Sequence, residues 1–388
     1  MTTASRFRVE LPVPCATRSR DLRIDLLRGI ALLVIFVDHQ EALTGFSWLR
    51  PYTLVSLTYC DALEVFVFLS GLVSGLAYGP VFVTRGFVAC QSKAFYRCLQ
   101  LYFANALLFL TVFAMTVLTP FLAAGRALEV SRADYILRRP LDSLGFFLTG
   151  QYHPVALDLL HLYIIFLMIA PTMIAIASRN ALLAVFASYG IYALAYMVPA
   201  LDYYTYPDGF NPLSWQFLYC IGLLIGVCQP RWLKPILEQK AVLAMAALTL
   251  IAVVAINKTL AYLPPSAEAP DGGWIQVLSS FPIVSKPALH PIRLLNFACL
   301  AAVTVAICPS SKTLAISRFA VPLIRCGQNS LVIFCLGVSL NYLGAFVFVP
   351  AFEDQASLYV LIYDIVGSFA LCVAALLLAS RRPVRRPI

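Results

Sequence analysis

The chain has 388 residues, 61% of them hydrophobic and only 12% charged, against about 25% charged in an ordinary soluble domain. That composition excludes a soluble globular fold and makes an all-α, polytopic membrane bundle the expected class, a single domain over 1–388. The net charge of +9 is carried by cations flanking apolar spans, the pattern of cytoplasmic loops, so the expected partner is membrane lipid and not nucleic acid.

Hydropathy predicts ten spans of roughly 17–25 residues, each long enough to cross hydrocarbon. They lie at about 26–43, 57–79, 95–119, 157–177, 181–199, 213–229, 240–257, 293–309, 327–350 and 358–380. Most of the Lys and Arg fall on one side when the N-terminus is placed in the cytoplasm, so both termini are expected there. The segments 1–24 and 381–388 are then a cytoplasmic N-terminal segment and a basic tail. No cleavable signal peptide is expected, because the first apolar stretch carries Asp38 and His39 and no small-residue cleavage site.

The first span holds the most informative residues. Ionisable groups at membrane depth are costly and by default mark a functional site. At about 100° per residue, Arg28 and His39 differ by only about 20° and stand roughly 16 Å apart along the helix. Asp25 lies on the same stripe and three residues from Arg28, within reach of a pair with it. Arg28 is either a ligand-binding group or a membrane-edge anchor. His39 accepts and returns a proton near neutral pH. Asp38 adjoins it in sequence but points about 100° away, so the carboxylate that fixes its tautomer is Asp38 itself or, across the bundle, Glu64 or Asp61.

The second span, Asp61-Ala62-Leu63-Glu64-Val65-Phe66-Val67-Phe68-Leu69-Ser70-Gly71, brings Asp61 and Glu64 in at the outer level, near His39. Gly71, Gly75 and Gly79 form a small-x-x-x-small ridge that reads as close helix packing. Ser70 and Ser330 bond either substrate or backbone. The outer loop 120–156 contains an apolar stretch, Leu144 to Leu148, suited to the interface. Asp158 and His161 open the fourth span, with His153 before it, and either line a substrate mouth or make interfacial hydrogen bonds. The 200–215 loop is aromatic (Tyr203, Tyr204, Tyr206, Phe210, Trp215), fit for sugar stacking or for interfacial belting. The loop 258–292 is rich in Pro and Gly, and Arg293 follows it at the outer start of the eighth span. The eleven cysteines form no Cys-x-x-Cys pair and, with only four histidines, imply no metal site and no disulfide framework.

Three stretches together resemble the OpgC family, inner-membrane proteins of osmoregulated periplasmic glucan modification. They are Arg23-Ile24-Asp25-Leu26-Leu27-Arg28-Gly29-Ile30-Ala31 running to Asp38-His39, the Asp61–Gly71 segment with Gly75-Leu76-Ala77-Tyr78-Gly79, and Gly327-Gln328-Asn329-Ser330-Leu331-Val332-Ile333-Phe334. The Arg28–His39 spacing also resembles the wider acyltransferase family 3. The resemblance implies a ten-span bundle moving an acyl group, succinyl for OpgC, from cytoplasmic acyl-CoA to a hydroxyl of a periplasmic glucan. It implies no permanently bound cofactor, and a bacterial inner-membrane location. In that reading His39, with Asp38 or Glu64, is catalytic. Arg28, Asp25, Asp61, Ser70, Asp158, His161 and Arg293 bind substrate, Arg293 at the succinyl carboxylate. The alternatives are a proton-coupled transporter of glycans or organic anions, with Asp38, His39 and Glu64 as its relay, and a subunit with no chemistry.

Overall fold

Asp21 starts the first helix by accepting the Arg23 main-chain N–H on its side chain, and Gly45 ends it at φ 83°, the left-handed conformation that a glycine takes at no steric cost. Between them runs α1 (Leu22–Thr44). The computed structural model describes residues 20–118, 125–198, 209–261, 286–350 and 355–380, and every regular element among them is helical. The next long element, α2 (Ala62–Leu118), is broken at Gly86, where φ is 78° and ψ −178°. Lys93 Nζ donates to the Ala77 carbonyl at 3.0 Å, and Cys90 lies against the Tyr78 carbonyl, so the chain reverses at Gly86. The second and third predicted spans are thus the two arms of one hairpin with a helical connection in place of the expected loop.

Three short helices follow: α3 (Gly125–Ser131), α4 (Asp134–Arg138) and α5 (Pro140–Leu148). The apolar stretch 144–148 lies on α5, with Leu141 and Leu148 outward and Phe147 stacked on Phe109 at 4.0 Å between centroids. Then come α6 (Asp158–Arg179), α7 (Ala181–Met197), α8 (Pro212–Cys228), α9 (Lys240–Ala261), α10 (Pro291–Ile307), α11 (Ala320–Gln328), α12 (Ser330–Leu343) with a π-helical turn Gly344–Phe348, and α13 (Ala356–Ser380). Each predicted span lies on a helix over most of its length. Among the described residues five helices are long and apolar enough to cross a membrane: α2, α6, α9 over Lys240–Thr259, Ser330–Phe348, and α13; α7, α8 and α10 are shorter apolar helices. The chain is a membrane protein.

Glycines set the closest crossings. Gly71 and Gly75 of α2 face the Tyr219 and Leu223 carbonyls of α8, and Gly222 and Gly226 of α8 face Phe68 and Leu72 in return; the glycine ridge is packing, as expected. The crossing that matters for the site is α1 on α11. A Cβ on Gly29 would collide with the Leu323 carbonyl, and one on Gly327 with the Asp25 carbonyl. This contact sets the start of α12, and so Ser330, beside Arg28. Gly327→Ala forces the two backbones apart and is expected to cost about 3 kcal/mol, the upper range for overpacking, read as a drop in detergent melting temperature.

Candidate active site

Arg28 emerges from the α1–α11 crossing toward α2 and α12. Its guanidinium donates to Ser330 Oγ at 2.6 Å and lies 5.7 Å from the Phe66 ring centroid, a cation–π arrangement. Tyr163 of α6 is the next polar neighbour; its hydroxyl donates to the Phe66 carbonyl at 3.3 Å. The Arg28 Nε is buried with no hydrogen-bond partner, so this cation retains a donor facing inward. The expected pair with Asp25 is not formed. Asp25, 2% exposed, takes two hydrogen bonds from Arg20 at 2.6 and 2.7 Å and one from Gln328 at 3.3 Å. Arg20 reaches it from the segment before the helix, while Arg28 turns the other way. Ser70, one turn along α2 from Phe66, is 4% exposed with an unpartnered hydroxyl.

His39 stands roughly 16 Å further along the same helix, half-buried. Its Nδ1 lies 2.8 Å from the Ile35 carbonyl oxygen. A carbonyl has no proton to give, so Nδ1 carries the hydrogen and Nε2 keeps its lone pair. The orienter expected among Asp38, Glu64 and Asp61 is therefore a main-chain carbonyl of the same helix. Each carboxylate is engaged elsewhere. Asp38 accepts from Thr53 Oγ1 at 2.6 Å, as its 100° offset from His39 requires.

Asp61 and Glu64 begin α2 as a capping box: the Asp61 side chain accepts the Leu63 N–H at 2.8 Å, and Glu64 accepts the Asp61 N–H at 2.9 Å. The same carboxylates gather two cations. Glu64, fully buried, pairs with Arg293 of α10 through both Nε, at 2.6 Å, and Nη2. Asp61 pairs with Lys286 at 2.6 Å and lies 3.8 Å from Arg293. The four groups are electrically balanced, which buried ions require. Asp61, Lys286 and Arg50 are the charges that face His39. Burial pulls the Lys286 ammonium down, but the Asp61 and Glu64 carboxylates outweigh that pull and hold its pKa above the ordinary lysine value. Its side chain is 37% exposed against 9% for Arg293, so Lys286 is the cation with access to an incoming group. Sequence reasoning did not single it out; its position just before the eighth span, like that of Arg293 just inside it, was the available signal.

Asp158, 6% exposed, also faces Lys286, together with Arg132. His153 and His161 pack with ring centroids 4.7 Å apart and planes tilted by 40°. Burial, then the charges of His161 and Arg132, pushes His153 down to about 3, so it is a neutral packing imidazole at physiological pH. Tyr342 ties this region to the bundle: its hydroxyl donates to the Val155 carbonyl at 3.0 Å, and the Val155 N–H donates to the carbonyl of Ser131, the last residue of α3, at 3.0 Å. Trp215, expected as a sugar-stacking candidate, is fully buried and donates to the Lys286 carbonyl at 3.1 Å. Phe210 packs edge-on against it, with Lys286 over its ring at 5.4 Å. These two aromatics position Lys286. Tyr203, Tyr204 and Tyr206, and the prolines and glycines at 264–273, lie outside the described residues. Among the described residues no three His, Cys, Asp or Glu side chains converge on a metal-sized site.

The arrangement is an imidazole held through Nδ1 by its own helix, a cluster of two acids and two bases beside it, and an arginine on the same helix toward the other end. A family model described as OpgC protein matches residues 20–382. No curated protein and no solved structure matches the chain.

Proposed function

Because the chain belongs to the OpgC family, we propose that it is a membrane O-acyltransferase that moves an acyl group, succinyl in the first instance, from cytoplasmic acyl-CoA to a hydroxyl of a periplasmic glucan. The observation that carries the reading is the bond from His39 Nδ1 to the Ile35 carbonyl, which supports Nε2 as the general base. His39 Nε2 takes the proton of a sugar hydroxyl, and that oxygen attacks the thioester carbonyl carbon. The carbon–sulfur bond breaks, and His39 returns the proton to the thiolate, releasing CoA as the free thiol with no net proton change. Ten crossings in an inner membrane, with both ends cytoplasmic, bring the donor to the Arg28 end and the acceptor to the His39 end. A pantetheine arm spans the roughly 16 Å between them. Arg28, with its unpartnered Nε, holds a phosphate or carbonyl of the donor. Lys286 takes over the role expected of Arg293 at the succinyl carboxylate, since Arg293 is committed to Glu64.

Purified protein given succinyl-CoA and a glucan should release free thiol and form a glucan ester. No thiol release with any acyl donor, together with uptake into vesicles driven by a pH gradient, would sink this reading in favour of a transporter. Arg28→Ala removes a charged hydrogen-bonding group worth about 1.5–3 kcal/mol. The expected result is a rise of roughly 10- to 100-fold in KM for acyl-CoA, with kcat falling less and the KM for glucan unchanged.

A further inference from the structure

A second polar site lies behind the first, where α1, α12 and α13 meet. Phe36 of α1 packs between Gly337 of α12 and Gly367 of α13. One turn later on α1, Gln40 meets Gly344 at the start of the π-helical turn, with Tyr363 of α13 at the same glycine. The two levels show that α12 runs parallel to α1 and α13 antiparallel. Between them, on the faces already in contact, come Asn341, four residues after Gly337, and Asp364, three before Gly367. Gln40, Asn341 and Asp364 are 0%, 2% and 0% exposed. Both polar atoms of the Gln40 amide and the Asn341 Oδ1 meet no hydrogen-bond partner, and the Asp364 oxygens meet no donor, only the Glu41 carboxylate. The mechanism above uses none of these residues.

The charges that bear on Asp364 are acids, Glu41 and Asp38. Glu41 accepts the main-chain N–H groups of Trp48, Leu49 and Arg50 at 3.0, 2.6 and 2.9 Å, so its oxygens are already served. Asp364 has no such donors. A fully buried carboxylate needs a compensating positive charge or a proton. At this burial no sugar or cofactor enters, only a species of atomic size. A proton would join Asp364 to a single acceptor and leave the Gln40 and Asn341 oxygens unserved. A cation serves all of them, and amide and carboxylate oxygens are the ligands that hard cations take.

We propose that Asp364, Gln40 and Asn341, with Glu41 at the edge, form a binding site for a small hard monovalent cation of the sodium class. Asp364 alone lacks both donors and a compensating charge, which calls for a single positive charge at its oxygens. The ion ties three helices together one residue beyond His39 on α1.

The test is thermal unfolding of the purified full chain in detergent, in sodium chloride or choline chloride of equal ionic strength, alongside retention of radiolabelled sodium. Wild type is expected to melt roughly 3–6 °C higher in sodium and to hold about one sodium per chain, a single ligand set. Asp364→Asn, which keeps shape and removes charge, should lose both effects. Asn341→Ala, a second variant in case the first folds poorly, should raise the sodium midpoint several-fold. Equal melting of wild type in the two salts with no sodium retained would overturn the site. So would a sodium effect undiminished in Asp364→Asn, or stability that depends on pH and not on sodium, the signature of a merely protonated carboxyl.

Discussion

His39→Gln is expected to lower kcat for acyl transfer by about 10²–10⁴-fold, the usual contribution of a general base, while leaving the melting temperature within a degree or two of wild type. Glutamine keeps the polarity and much of the volume of the imidazole but has no basic nitrogen. The KM for acyl-CoA should move little, because Arg28 lies roughly 16 Å away. Asp38→Asn is the informative comparison. Asp38 bonds Thr53 and not the imidazole, so its loss should cost less than about tenfold, unlike an orienting carboxylate in a base–orienter pair. Steady-state thiol release with a fixed glucan measures both. Retention of activity in His39→Gln would remove the base, and equal loss in the two variants would restore Asp38 as its partner.

Glu64→Ala is expected to destabilise the bundle by about 3–5 kcal/mol, the cost of leaving a buried ion without its partner. Arg293 would keep only Asp61, at 3.8 Å, and the Asp61 N–H would lose its capping acceptor. The double variant Glu64→Leu with Arg293→Met should recover much of that loss, since replacing both members of a buried pair with apolar groups is often neutral. Thermal unfolding of the three variants reads the coupling. If Glu64→Ala melts like wild type, the pair is not a structural tie. If the double variant is stable but inactive with succinyl-CoA, the charge cluster serves the donor as well as the fold.

The helices were legible because apolar runs of membrane length have few other fates, and each predicted span lies on a helix over most of its length. The Gly86 hairpin was harder to see. Its Arg85 and Lys93 suggest an exposed loop, yet a single positive-φ glycine lets the helix resume at once. At the site, helical periodicity placed Arg28 and His39 on one stripe but could not assign partners across the bundle. Asp25 was assigned to Arg28 from spacing alone; Arg20, outside the predicted span, reaches it first. The imidazole's partner was missed because a main-chain carbonyl leaves no trace in the side-chain pattern. Lys286 was missed because its role depends on Trp215 and Phe210 folding over it from a distant segment. Ser330 was left between substrate and backbone as a partner, because the Gly29–Gly327 crossing that delivers it to Arg28 is long-range.

The tether of the imidazole to Ile35 makes the proposed base a rigid attachment of its own helix. No neighbouring helix supplies the bond that sets the tautomer, so a displacement of those helices leaves the imidazole's orientation unchanged.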